Sequence, residues 1–325
     1  MDPAGELDSA LSQLASIGRF RGAVRVDAGG SVLLDRAYGE DGAGVTLTTD
    51  TAFQVASVSK SFTAACVVRQ IEQDRLSLDD RLVSFVEDAP PTWREIRIRH
   101  LLTHTSGLAH WQDLPGHDLY TPVPREELIA RFAATPLRFP TGRGWGYSSP
   151  GYVLLAHIVE TVAGDPYPSI LDSEVLQPLG LRQTRAAEPA PGVVAAHGSR
   201  AGEPAPSFDL FANAGTGDVW STTADLARWP RALASLSPAV FTPRASVARE
   251  QDGLTDVGYG YGWFSATLGN ERLVFHPGDN AGFVSLLVWA PERDLVVVVL
   301  AADEIDLQPI AAPALAALLT RRGTS

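Results

Sequence analysis

The sequence of 325 residues almost lacks lysine. It has one, Lys60, against 25 arginines, so positive charge is plentiful and only its lysine form is missing. Arginine does not release its proton in a protein, whereas a lysine amine withdrawn from water does. The exception at position 60 therefore suggests a place where arginine cannot substitute. Cysteine is equally scarce: the single Cys66 excludes an internal disulfide and fits a reducing compartment. It stands among apolar residues and reads as a small packing side chain, not a nucleophile. No run approaches the ~20 apolar residues of a membrane span. A net charge of −12 argues against nucleic acid or an anionic membrane as the main partner. The start, Met1-Asp2-Pro3-Ala4-Gly5-Glu6, lacks the basic residues and apolar run of a signal peptide, so the cytoplasm is the expected location. No glycine-rich phosphate loop is present. His100 and His104 stand four apart on one predicted helix, without a further ligand to complete a zinc pattern. Neither a metal nor a cofactor is expected.

What is there describes a globular protein with a sizeable core, 45% hydrophobic and 20% charged. Residues 5–16 pattern as an amphipathic helix. Residues 22–27 and 31–35 pattern as strands joined by the hairpin signal Ala28-Gly29-Gly30. The middle is mostly helical, with helices predicted to end at Ser106-Gly107 and to cover 125–134, 150–162 and 222–233. Strands return at 261–268, 272–275, 282–289 and 295–301, and 310–321 closes the chain as a helix. Residues 110–124 and 186–208 are rich in Pro, Gly and small residues and read as loops. The expected fold is α+β, of the α/β sandwich type: one antiparallel sheet built from both termini and flanked by helices, plus a mostly helical lobe. One domain, 1–325, is expected. Its α/β lobe covers about 1–80 and 215–325, its helical lobe about 81–214, and the cleft between them is the natural site.

Three short motifs carry possible chemistry. In Ser57-Val58-Ser59-Lys60 the serine and the lysine are three apart, hence one helical turn apart on one face if a helix starts at or just after Ser57. A neutral amine there could take the proton of a hydroxyl that is otherwise a poor nucleophile. The plainer reading of Ser57 is a helix N-cap. Tyr147-Ser148-Ser149-Pro150-Gly151-Tyr152 places a tyrosine between a Gly/Arg loop and a helix, where it is either an acid/base with a cation nearby or a packing anchor. His276-Pro277-Gly278-Asp279 lies between two predicted strands, and its glycine lets a backbone N–H approach a substrate oxygen. The plainer reading is a polar loop with a solvent-facing histidine.

In this order, and with Leu101-Leu102-Thr103-His104-Thr105-Ser106-Gly107-Leu108, Pro178-Leu179-Gly180-Leu181, Ser221-Thr222-Thr223-Ala224-Asp225-Leu226 and Gly282-Phe283, the motifs form a larger pattern. Over about residues 20–305 the chain resembles the serine β-lactamase and penicillin-binding protein superfamily, in particular its class C-like branch. That branch also holds esterases, D-amino-acid peptidases, amidases and acyltransferases. The resemblance implies that Ser57 is the acylated nucleophile. It implies that Lys60 is its neutral-amine base, or the group that keeps the tyrosine ionised. Tyr147 would protonate the leaving group and activate water. His276 would take the place of the third-motif Lys or His, hydrogen-bonded near Tyr147 and Ser57. The N–H groups of Ser57 and Asp279 would form the oxyanion hole, and Ser149, Gly278 and Asp279 would meet substrate. His104 would make a structural hydrogen bond inside its motif.

The chain departs from the family at three places, Ser149, His276 and Asp279, the last standing where glycine or serine is common. Ser149 stands where the family usually has asparagine, and it brings one donor instead of two. His276 stands where β-lactamases and cell-wall peptidases use a lysine to bind the substrate carboxylate. The first two changes argue against a β-lactamase or a D-Ala-D-Ala carboxypeptidase and for a small-molecule ester, amide or peptide-like substrate. An acyltransferase in natural-product biosynthesis remains an alternative to a hydrolase, because water and another acceptor compete for the same acyl-enzyme. A non-catalytic binding protein would not need Ser57, Lys60 and Tyr147 together. Asp279 either meets a cationic substrate or points to solvent as an ordinary turn residue. The loop 110–124, with Trp111 and Tyr120, either covers the cleft or packs on the surface. The lysine argument yields a direct expectation: Lys60→Arg keeps the charge but cannot deprotonate, so turnover should be lost, and normal acylation of that variant at Ser57 would remove the base role from Lys60.

Overall fold

The computed structural model describes residues 3–114, 121–206, 214–247 and 253–320. A double glycine starts the architecture. Gly29 and Gly30 both take positive φ, 55° and 76°, which matches a tight hairpin to the twist of its strands. That turn folds Ser31–Tyr38 onto Gly22–Ala28. On its other edge Gly22–Ala28 pairs antiparallel with Leu295–Ala301, so the first strands of the chain meet the last. The sheet continues through Phe283–Ala290, Glu271–Asn280, Phe264–Leu268, Leu254–Tyr259 and Ala245–Ser246, all antiparallel. The expected fold, α+β with one antiparallel sheet made from both termini and flanked by helices, is the observed one.

The central strand shows how the sheet divides the core. Every residue of Leu295–Ala301 is buried. Val296, Val298 and Leu300 face one apolar cluster, and Leu295, Val297, Val299 and Ala301 face another, as the two-residue period of a strand requires. The second cluster lies under helices Pro3–Ser16 and Gln308–Thr320, which pack on each other. The first cluster is the larger one and extends through helices Ser59–Glu72, Ser149–Ala163 and Thr223–Leu236. Ser59–Glu72 is buried on nearly all sides, every residue from Ser59 to Val68 included, its polar Ser59, Lys60, Ser61 and Thr63 among them. Phe62 stacks on Trp229 at 4.2 Å, and the Trp229 indole N–H donates to Ser61 Oγ at 2.8 Å. Cys66 is buried in this helix, as a packing residue would be.

Three sequence expectations change. The predicted strand 261–268 is shorter, and a second strand precedes it: Leu254–Tyr259 turns back through residues 260–263, closed by Gly260 N–H donating to the Trp263 carbonyl at 2.8 Å. The His276-Pro277-Gly278-Asp279 run is not a loop but the second half of strand Glu271–Asn280, paired with Phe283–Ala290. Pairing with Phe264–Leu268 ends at Phe275. Pro277 therefore sits in a half-strand with a sheet neighbour on one side only, where a missing N–H is tolerated. The helix around His100 is short, Ile98–Leu102, so His104 lies beyond it and takes a left-handed φ of 57°. Tyr120, residues 207–208 of the second predicted loop and Arg321 of the last predicted helix lie outside the described residues. Among the described residues, no helix is long and apolar enough to cross a membrane.

Gly278 positions the site through close contact. A Cβ placed on it would lie 2.3 Å from Ser285 Oγ, 2.5 Å from the Val55 carbonyl oxygen and 3.0 Å from Ala56 Cβ. The strand thus presses on the turn that leads into Ser57, and Ser285 Oγ donates to the same Val55 carbonyl at 2.8 Å. Gly278→Ala should destabilise the fold by about 1–3 kcal/mol, the usual cost of overpacking. Chemical denaturation checks this, and an unchanged midpoint would mean that the contact can open without cost.

Candidate active site

Ser57 sits on a single 3₁₀ turn, Ala56–Val58, that runs directly into helix Ser59–Glu72. Ala56 holds a left-handed φ of 47°, a conformation that is unfavourable for a residue with a Cβ. Ala56 keeps it under the contact from Gly278, and strain of this kind persists where the surroundings over-determine the backbone. The turn leaves Ser57 partly exposed while Lys60, one turn on, is fully buried. Lys60 Nζ lies 3.1 Å from Ser57 Oγ and 2.9 Å from the Thr216 carbonyl oxygen, to which it donates. Burial is the main cause that pushes the Lys60 amine down to about 7, with the Asp218 carboxylate acting in the opposite direction. With one N–H committed to Thr216, a neutral amine keeps its lone pair for the Ser57 proton.

Tyr147 stands over the pair. Its ring centroid is 5.0 Å from Lys60 Nζ. Burial pushes its phenol well above the ordinary range, and a hydrogen bond with the Ser57 hydroxyl works against that. The loop that carries Tyr147 is clipped by two histidines. Ser148 N–H donates to His104 Nδ1 and Ser149 N–H donates to His110 Nδ1, each at 3.2 Å. Ser148 Oγ donates to the Ala109 carbonyl at 2.8 Å and accepts from Gly151 N–H at 3.3 Å, capping helix Ser149–Ala163. His104 thus makes a structural hydrogen bond, but to Ser148 of the second motif and not inside its own. The His104 ring also packs 4.4 Å from that of Tyr147. Ser149 is buried.

His276 departs from its expected partners. It is buried, not solvent-facing, and its ring centroid is 6.3 Å from that of Tyr147. Its nitrogens turn to Tyr259 and to its own strand: Nε2 is 3.2 Å from the Tyr259 hydroxyl and Nδ1 is 2.6 Å from the Pro277 carbonyl oxygen. A carbonyl only accepts, so Nδ1 carries the proton and Nε2 accepts from Tyr259. Burial pushes His276 down to about 3 and His110 down to about 4, and it holds His104 well below the ordinary histidine range. All three rings are neutral. Asp279 lies on the exposed face of its strand. Gly278 lies on the buried face against Val55 and Ala56. Trp111 packs its ring 5.6 Å from Phe132. Among the described residues no group of three or more His, Cys, Asp or Glu could hold a metal ion.

Sequence reasoning did not single out Tyr259, His110, Thr216 or Asp218. For Tyr259 the signal was present: Gly258, Gly260 and Gly262 alternate around it, which is unusual inside a strand and typical of a tight turn. Asp218 closes the run Gly215-Thr216-Gly217-Asp218, which the motif spacing did not include.

The chain is similar to several known proteins. A family model described as Beta-lactamase matches residues 7–320. Esterase EstB of Burkholderia gladioli is 34% identical over 204 residues, 55% of this chain and 50% of the esterase, so the match spans about half of that protein's length. Penicillin-binding protein 4* of Bacillus subtilis (strain 168) is 27% identical over 329 aligned positions, covering 93% of this chain and 72% of that protein. Among solved structures, the octameric penicillin-binding protein homologue from Pyrococcus abyssi superposes with a TM-score of 0.84 at 26% identity, over 98% of this chain and 78% of that one. D-amino acid amidase from Ochrobactrum anthropi SV3 shares the fold, with a TM-score of 0.82 at 19% identity, over 99% of this chain and 100% of that one.

The buried amine sets a pH dependence. As a base for Ser57, Lys60 would have to be neutral, and kcat/KM for a neutral substrate should then rise with pH through a midpoint near 7. A pH profile of ester turnover checks this. A limb in the ordinary lysine range, near 10.5, would mean that Lys60 is hydrated during turnover.

Proposed function

The chain belongs to the beta-lactamase family, and on that premise we propose that it is a serine hydrolase that opens an ester or amide bond through an acyl-enzyme on Ser57. The observation that carries this reading is the 3.1 Å approach of a fully buried lysine amine to the Ser57 hydroxyl. In the first half-reaction neutral Lys60 takes the Ser57 proton while Oγ bonds to the acyl carbon. Tyr147 gives its phenolic proton to the leaving group as that bond breaks. Tyr147, now a phenolate beside the Lys60 ammonium, takes a proton from water in the second half-reaction. The resulting hydroxide attacks the acyl carbon, and Ser57 Oγ leaves with the proton held by Lys60, which restores all three groups. The direction in which burial moves each group supports this division. It favours a neutral Lys60 and a protonated Tyr147 in the resting enzyme, hence base and acid respectively and not a resting phenolate. In this reading the backbone N–H groups of Ser57 and Asp279 receive the developing oxyanion, a contact for which one donor is typically worth ~3 kcal/mol.

The substrate in this reading is a neutral acyl donor. His276 replaces the family's carboxylate-binding lysine, and burial keeps it, His104 and His110 uncharged. Lys60 is itself engaged with Ser57 and Thr216. These groups offer no steady positive charge to a substrate carboxylate, which is the handle that β-lactams and cell-wall peptides carry. Esters and neutral amides lack that handle.

The test is intact-protein mass spectrometry with parallel recording of chromophore release, on the unsubstituted protein and on Ser57→Ala. The substrates are a short-chain p-nitrophenyl ester and a chromogenic cephalosporin. Expected are an acyl mass increment and fast release with the ester, little release with the cephalosporin, and neither increment nor turnover in Ser57→Ala. Faster release on adding an amine, with the amide as product, would make the enzyme an acyltransferase. Turnover retained by Ser57→Ala would overturn the nucleophile assignment, and rapid cephalosporin hydrolysis would overturn the substrate class.

A further inference from the structure

Lys60 is held from below by a turn that owes its shape to one acidic residue. Asp218 is fully buried, and its Oδ1 accepts the Gly215 N–H at 2.8 Å, closing the four-residue turn from Gly215 to Asp218. The turn presents the Thr216 carbonyl to Lys60 Nζ. Its other groups are tied down as well. The Gly215 carbonyl accepts from Thr63 Oγ1 at 2.8 Å, and the Gly217 carbonyl accepts from Asn280 Nδ2 at 2.9 Å. The Val219 N–H donates to Ser59 Oγ at 3.0 Å, which joins the turn to the first residue of the Lys60 helix. A turn fixed this well needs one carboxylate oxygen. The second, Oδ2, is buried without a hydrogen-bond partner among the described residues, a costly state for an atom with no role. An amide in place of the carboxylate would close the same turn without placing a charge there.

We propose that Asp218 is a positioning residue for Lys60: it closes the turn that holds the amine against Ser57, and its carboxylate is the buried anion against which Lys60 gains and loses its proton. This rests on Lys60 as the base in the reading above and names the residue that tunes it. The groups around Asp218 are Lys60 and Cys66 from helix Ser59–Glu72, Arg125 from Arg125–Ala134 and Tyr167 from Tyr167–Leu171. Those around Lys60, besides Asp218, are Tyr147, Tyr152, His104, His110 and His276. The histidines are neutral and the tyrosines protonated, so they add little charge of their own. Asp218 raises the proton affinity of Lys60, opposing burial, and burial pushes Asp218 itself up to about 7, the same region as Lys60. One proton then has two places to reside, on the amine or on the carboxyl. With Asp218 protonated, Lys60 loses the opposing charge and holds its own proton less tightly.

The single lysine allows a test that does not depend on turnover. Growth with ¹³Cε-labelled lysine places the label at Lys60 alone. Its chemical shift is followed through a pH titration of the full-length protein and of Asp218→Asn, which keeps the turn-closing oxygen and removes the charge. The Lys60 midpoint should fall by about 1 unit in Asp218→Asn, the smaller end of what a nearby opposite charge produces. The acid limb of ester turnover should move the same way. An unmoved or raised midpoint would overturn the proposal and leave Asp218 a purely structural residue. Should Asp218→Asn not fold, the unsubstituted protein decides alone. Two interacting groups give a Lys60 titration broader than a one-site curve, and a one-site curve would overturn the proposal. A failure of the ester reading would leave the Lys60 signal and its dependence on residue 218 unchanged, so the two results are independent.

Discussion

The withdrawal of one amine from water governs the rest of this molecule. An ammonium group at the position of Lys60 would lose its hydration and regain little of it, so the neutral form becomes accessible near neutral pH. Everything around it serves that condition. The helix that carries Lys60 is buried on nearly all sides and runs through the core. The Tyr147 loop covers the amine from one direction, the Gly215–Asp218 turn closes it from another, and strand Glu271–Asn280 presses the Ser57 turn onto it. A residue with a permanent charge could not be enclosed in this way. The replacement of lysine by arginine elsewhere in the chain is consistent with that division of labour.

The same dryness decides what the neighbouring histidines do. His104 and His110 act through their lone pairs, each receiving a peptide N–H from the loop beside Tyr147. His276 uses one nitrogen as donor and one as acceptor and is tied to Tyr259. A proton on any of these rings would add a cation near Lys60 and would remove an acceptor, that of the loop in His104 and His110 and that of the Tyr259 hydroxyl in His276. The site thus combines one amine at its titration point with a scaffold of imidazoles kept away from theirs. Such separation of proton affinities by environment is how acid and base roles coexist in one pocket.

How much of this the sequence carries depends on how local each relation is. Ser57 and Lys60 are legible because three residues of one turn bring them together. The flanking helices are legible because their caps, Ser148 with Pro150 and Thr222, stand in the sequence itself. Tyr147 and His276 are legible only through their place in a family pattern. The bonds of His276 are not legible, because its partner Tyr259 lies across a hairpin whose first strand is not among the predicted ones. The run His276-Pro277-Gly278 has the composition of a loop, and only the neighbouring strand Phe283–Ala290 makes it extended. Asp218 left no trace because its effect runs through the Thr216 carbonyl, a backbone atom that any residue supplies.

The register of the sheet has a consequence for how the molecule comes into being. Strand Gly22–Ala28 finds its inner neighbour in Leu295–Ala301, and the Ser57 turn rests on strand Glu271–Asn280, each more than two hundred residues further along the chain. Contacts of such separation are closed late, because the loop between them must first lose its freedom. During synthesis Ser57 and Lys60 leave the ribosome long before the strands that complete their surroundings. A nascent chain already carries Ser57 and Lys60, but Lys60 is then an ordinary hydrated ammonium and Ser57 an ordinary alcohol. The enclosure that sets Lys60 apart from a free lysine arrives only with the final strands.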